Sequence, residues 1–256
     1  TKLIQMALKY IKFLALILGF LSCNEEITTE STDSQRLKID NNLKSNSEID
    51  SVIRPYIIRL EASMNEVLSY SDNEYKKTEG ALNTAIGNLM ADAVFEQSSP
   101  IFKKRYNLDL DLVLLNHGGI RAPLPKGPIF TKTAFNIMPF ENKVVVAQLK
   151  GNVVMELVDY LIKAKRAHPI SGMTLHITKN GKVKKLEIQG KTIDLNKIYN
   201  VATSDYLFKG GDRMEFFKKN KTVFDLDCKI RAILIDYFSA QDTLNPKRDQ
   251  RFIYTN

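Results

Sequence analysis

Asp111 to Leu124 reads DLVLLNHGGIRAPL: an apolar run that ends at an asparagine, turns on two adjacent glycines and resumes at an arginine. Four consecutive large aliphatic residues bounded by turn signals predict a short buried strand. A glycine pair carries no side chains, tolerates positive φ and lets another group approach the backbone. The device returns at Tyr206 to Phe216, YLFKGGDRMEF, and the chain of 256 residues holds only 12 glycines. Two Gly-Gly pairs, one beside an arginine and one beside an aspartate, therefore mark loops against which something sits.

Outward from this strand, helical and extended patterns alternate. Ile49, Val52, Ile53, Ile57, Leu60, Met64, Val67 and Leu68 form one helical stripe, and Leu82, Ile86, Leu89, Ala93 and Val94 predict a second helix. KVVVAQLKG, from Lys143, reads as another strand, and Val154, Leu157, Val158, Leu161 and Ile162 restore the helical period. TLHITKNGKVKKLEI places Asn180-Gly181 between two alternating segments, which predicts a hairpin. YNVATSDYL is a further strand candidate. In FDLDCKIRAILIDYF the recurrence of Ile230, Ile233, Leu234, Tyr237 and Phe238 predicts a closing helix that contains Cys228. The expected class is α+β, mixed sheets with flanking helices and an antiparallel component.

The first residues follow a different logic. Lys2, Lys9 and Lys12 precede the apolar run Phe13 to Leu21, and Ser22-Cys23 follow it. That is the pattern of a signal peptide over residues 1–22, since the run is shorter than the roughly 20 apolar residues that span a bilayer. Cys23 stands where a bacterial lipoprotein is cleaved and lipidated, the alternatives being a plain secretory signal or a chance cysteine. A lipid on Cys23 would anchor the chain to a membrane of the cell envelope and leave Cys228 without a disulfide partner. Residues 23–47 are polar, with Glu25, Glu26, Glu30 and Asp33, and read as a flexible tether. Residues 48–256 are enough for one packed domain. The formal charge of +8 loses the three lysines of the leader, to +5, which suits an anionic ligand. No basic stripe interleaved with aromatics is present, so nucleic acid is not an expected partner.

The loops hold the candidate chemistry. Arg121 follows the first glycine pair, and its planar guanidinium can grip a phosphate or carboxylate with two hydrogen bonds. Tyr206 offers a face for a flat ring, and Asp212 can accept hydrogen bonds from sugar hydroxyls. MPFEN adds Phe140 and Asn142 after a proline turn. Together these residues fit a pocket for a planar base joined to a sugar and a phosphate.

The order of IGNLMADA, NHGGIR, MPFENKVVVAQLKG, ISGMTL and VATSDYLFKGGDRMEFF, between about Thr84 and Phe252, resembles the C-terminal, substrate-binding domain of the 5′-nucleotidase and UDP-sugar hydrolase family. The resemblance implies that Asn116 and Arg121 contact the sugar-phosphate end and that Phe140 and Tyr206 sandwich the base. It further implies that Asp212 binds ribose hydroxyls and that Asn142 and Gly172 meet the base edge. Stacking on an aromatic face accepts many bases, so base preference is expected to be loose.

Departures from the family pattern matter too. Gly80 and Asn83 stand where the family carries an arginine and a glutamate, so a second phosphate clamp would have to come from Lys76 or Lys77. His117 replaces a common glycine and reads as a turn residue. In the family, hydrolysis belongs to another domain that holds two divalent metals through D-x-H and G-N-H-[DE] motifs. The three histidines here, His117, His168 and His176, lie in no such motif. The expectation is a chain with no catalytic or metal-binding residues of its own. It would bind nucleotide or nucleoside and work with a separate metallophosphatase subunit that supplies the two metals; the alternative is a stand-alone binding lipoprotein.

Overall fold

A computed structural model describes residues 43–256, residues 36–40 and residue 6. Cys23 and the expected leader lie outside the described residues, residue 6 excepted. The chain divides into two compact units, Thr1–Asp50 and Ser51–Asn256. Among the described residues no helix is long and apolar enough to cross a membrane.

In chain order the elements are α1 (Ser47–Met64), β1 (Val67–Ser71), α2 (Ala85–Tyr106), β2 (Leu112–Leu114), β3 (Gly127–Phe130), α3 (Thr131–Ile137), β4 (Lys143–Lys150), α4 (Gly151–Ala164) and β5 (Ile170–Ser171). They continue with β6 (Met173–Ile177), β7 (Val183–Ile188), β8 (Lys191–Thr192), β9 (Ile198–Ser204), α5 (Asp205–Phe208), β10 (Val223–Lys229), α6 (Ile230–Ser239), β11 (Thr243–Leu244) and β12 (Phe252–Tyr254). The fold is α+β with three mixed sheets, in the orders β11-β1-β3, β10-β4-β9-β2-β5 and β12-β6-β7-β8.

The five-stranded sheet is the centre because its inner strands β4, β9 and β2 are buried on both faces. Alternation along β2 sends Val113 and the following Leu115 into one core with α2 and α6, and Leu112 and Leu114 into another with α4. β4 does the same: Val144 and Val146 join the first core, Ala147 and Leu149 the second. Each core is the apolar stripe of helices laid on one sheet face. α2 starts where the Thr84 hydroxyl accepts a hydrogen bond from the Gly87 amide at 3.2 Å, and ends at Asn107 in the left-handed region.

Three expectations are corrected. Cys228 lies in strand β10 and not in a helix; its thiol donates to the Leu226 carbonyl at 3.2 Å, and α6 begins at Ile230. That helix does not close the fold, because β11 and β12 follow and pair in parallel with β1 and β6. The first stripe is a helix only to Met64: Val67 and Leu68 belong to β1, and no residue of α1 is buried.

Candidate functional site

Sheet topology brings the two glycine loops together. β2 and β9 are parallel neighbours, with Leu112 opposite Val201, so the loops that leave their C-terminal ends emerge at one sheet edge. β4 runs antiparallel to β9 with Val144 opposite Ser204, so the turn that enters β4 arrives at the same edge.

The first loop leaves β2 at Asn116 and makes one 3₁₀ turn, His117–Gly119. A Cβ at Gly119 would sit 2.8 Å from the Asn116 side-chain oxygen, so glycine is required for that amide to fold over its own turn. The Asn116 amide nitrogen donates to Asp212 Oδ2 at 2.8 Å and so joins the two loops. Arg121 is exposed, its guanidinium 5.9 Å from the Phe140 ring centre, and no carboxylate of the described residues pairs with it.

The second loop leaves β9 through the single turn α5, started by the Ser204 hydroxyl accepting from the Leu207 amide at 3.1 Å. Gly210 then takes φ +96°, and a Cβ on Gly211 would lie 2.5 Å from the Tyr206 ring. The second glycine is therefore the seat of the tyrosine. Tyr206 donates its hydroxyl to Asp212 Oδ1 at 3.1 Å. Each carboxylate oxygen of Asp212 thus has one protein donor and keeps a lone pair for a ligand hydroxyl.

The third segment carries Phe140 and Asn142 and is held from behind. Arg231, buried at the start of α6, points its guanidinium at the Met138 and Phe140 carbonyls, each 3.4 Å away, lies 4.0 Å from the Phe135 ring centre and pairs with Glu141. Asn142 accepts from the Ile230 amide at 3.0 Å, and Asp205 accepts from the Lys143 amide at 3.1 Å, which ties this segment to α5. Sequence reasoning missed Arg231, which reads as a polar interruption of an apolar helix. Its only local signal is a charge flanked by Ile230 and Ile233 on the buried side.

Asn116, Arg121, Phe140, Asn142, Tyr206 and Asp212 line one cavity of about 290 Å³. Gly172 does not line it. At φ +76° between β5 and β6, its missing Cβ makes room for the Asp111 carbonyl and the Gln189 amide, a packing reason for glycine. Phe140 and Tyr206 are 40% and 46% exposed, so both rings can receive a flat ligand. Arg121 also lines a smaller cavity of about 160 Å³ with Lys76 and Lys77. Lys77 donates to the Ile120 carbonyl at 2.7 Å and Lys76 pairs with Glu74, so the loop without the family's arginine at Gly80 still brings two ammonium groups beside Arg121. The cavities combine aromatic walls, a twice-anchored carboxylate and three cations: surfaces for a ring, a diol and an anion. Among the described residues no three His, Cys, Asp or Glu side chains group to hold a metal ion.

Known proteins resemble this chain in sequence and fold. The family model for the 5′-nucleotidase C-terminal domain matches residues 62–219. Protein UshA of Escherichia coli K12 is 25% identical over 202 residues, 75% of this chain and 34% of its own length. The trifunctional nucleotide phosphoesterase protein YfkN of Bacillus subtilis 168 is 26% identical over 211 residues, 75% of this chain and 14% of its own. The 5′-nucleotidase precursor of Thermus thermophilus superimposes with a TM-score of 0.68 at 21% identity, covering 82% of this chain and 43% of that one. The chain spans at most about a third of the length of these curated relatives. With a family model matched over more than half of its residues and a fold to fit it, this chain belongs to the 5′-nucleotidase C-terminal domain family.

Proposed function

We propose that the chain is the nucleotide- or nucleoside-binding half of a 5′-nucleotidase-type phosphohydrolase, acting with a separate metallophosphatase. The observation that carries this reading is the single cavity shared by Phe140, Tyr206, Asp212, Asn116, Asn142 and Arg121. In it the base stacks on Phe140 and Tyr206, the ribose diol donates to Asp212, and the phosphate lies toward Arg121 with Lys76 and Lys77 beyond. Cys23 would carry the lipid that places the domain at the cell envelope.

Two features support a partner over a stand-alone binder. Both stacking rings are half open to solvent, so a bound nucleotide would keep an uncovered side. α1 presents Val52, Tyr56 and Leu60 at i, i+4 spacing, each more than half exposed, a stripe of the kind that marks an interaction surface. Calorimetry tests the base subsite: Phe140→Ala and Tyr206→Ala should each weaken nucleoside binding by about 1–3 kcal/mol. Unchanged affinity in both variants would show that the rings do not hold the base.

A further inference from the structure

Beside the first cavity lies a second, of about 310 Å³, lined by His117, Tyr160, Arg166, His168 and Arg213; Gly118 and Asp212 line both. We propose that this second cavity is a binding site for a phosphate-type oxyanion, gripped by Arg166 and Arg213. Both arginines are exposed, and no carboxylate of the described residues forms an ion pair with either. Asp212 is the one acid at the cavity, and its side chain is taken up on the other side: Asn116 and Tyr206, which line the first cavity, hold its two carboxylate oxygens. Its main-chain carbonyl accepts the Tyr160 hydroxyl at 3.0 Å, and its charge still reaches Tyr160 and His168, so two unpaired arginines face one carboxylate that is already engaged. What remains is a concave, cationic surface with aromatic and imidazole walls, the chemistry that takes up a small oxyanion. The imidazole of His117 is pushed down chiefly by burial, with smaller contributions from the nearby cations Lys77 and Arg166.

Backbone geometry adds an independent reason. Asp212 and Arg213 stand consecutively at φ +51° and +62°, where non-glycine residues are strained, and such strain gathers at ligand sites. A glycine at 213 would meet this turn freely; an arginine there meets it at a conformational cost and places its guanidinium at the cavity.

The oxyanion has two possible sources, free phosphate or a phosphoryl group on the ribose edge of a nucleotide in the first cavity, since Asp212 is common to both cavities. The second source rests on the function proposed above; the first does not. Arg213→Gly relieves the strained backbone, so the variant should fold, and Arg166→Ala alters an exposed side chain. In the first arm, inorganic phosphate is titrated while the ring resonances of His117 and His168 are followed by NMR. The wild type should shift both rings, and the double variant should need about tenfold more phosphate, with adenosine affinity unchanged. In the second arm, adenosine 3′,5′-bisphosphate is compared with adenosine 5′-monophosphate. A preference for the bisphosphate that disappears in the double variant assigns the site to the nucleotide. Equal affinities, with the phosphate shift intact, assign it to free phosphate. Ring shifts absent from the wild type, or identical in the double variant, would overturn the proposal. If adenosine fails to bind while the phosphate shift persists, the nucleoside reading falls and this site stands.

Discussion

At position 168 an imidazole is almost wholly enclosed, and the enclosure sets its chemistry. Burial, reinforced by neighbouring His117, pushes His168 down to about 4 from the ordinary 6.5. The unfolded chain therefore takes up a proton near pH 6.5 that the folded chain refuses until about pH 4. The stability that depends on a neutral His168 is full above pH 6.5 and is lost as pH falls to about 4, a total of about 3 kcal/mol. Urea unfolding at intervals across this window should show that loss in the wild type and a flatter profile in His168→Gln; parallel profiles would refute it. Single residues were legible in the sequence where a local device announced them. Asn116 and Arg121 flank one glycine pair, Tyr206 and Asp212 the other, and all four reach the cavity. Gly172, named only through the family resemblance, stands outside the cavity, and its positive φ accommodates Asp111 and Gln189.

Elements were legible in proportion to how much of their burial is periodic. β2, β4 and β9 are covered on both faces, so β2 and the core of β4 read as apolar runs, while β9 is buried along its length with Asn200 and Thr203 among its apolar residues. β10 was hidden although it alternates, with Phe224, Leu226 and Cys228 turned more inward than Val223, Asp225 and Asp227, because its apolar set runs on into α6 without a break. β11 and β12 are two and three residues long and are fixed by parallel pairing with distant strands, so neither is long enough to carry a periodicity of its own. Arg231 shows the same limit, since its partners lie about 90 residues away in the Phe140 turn. Arg231→Met removes donors from the Met138 and Phe140 carbonyls, so stability should fall by about 1–3 kcal/mol. Nucleoside affinity should fall with it as the Phe140 turn loosens. Denaturant titration and calorimetry on one preparation check both, and an unchanged affinity would show that the turn holds its shape without the arginine.

On the scale of the whole molecule, sheet order places loops from opposite halves of the domain at one edge, and this long-range fact makes a site from weak local signals. The C-terminal ends of β2 and β9 and the start of β4 meet through pairings that span some 60 to 90 residues. The family order of motifs made that convergence readable; composition and periodicity alone gave the elements but not their neighbours. The central claim is that this convergence reads a nucleotide in parts, base and sugar against Phe140, Tyr206 and Asp212, phosphate against Arg121. The most direct test titrates a nucleoside and its 5′-monophosphate into the wild type and Arg121→Ala by calorimetry. A charge-assisted hydrogen bond contributes about 1.5–3 kcal/mol, so the variant should lose about tenfold or more in affinity for the monophosphate while the nucleoside binds nearly as before. Equal losses for the two ligands would contradict the account, because Arg121 would then be holding the loop in place and not reading the phosphate.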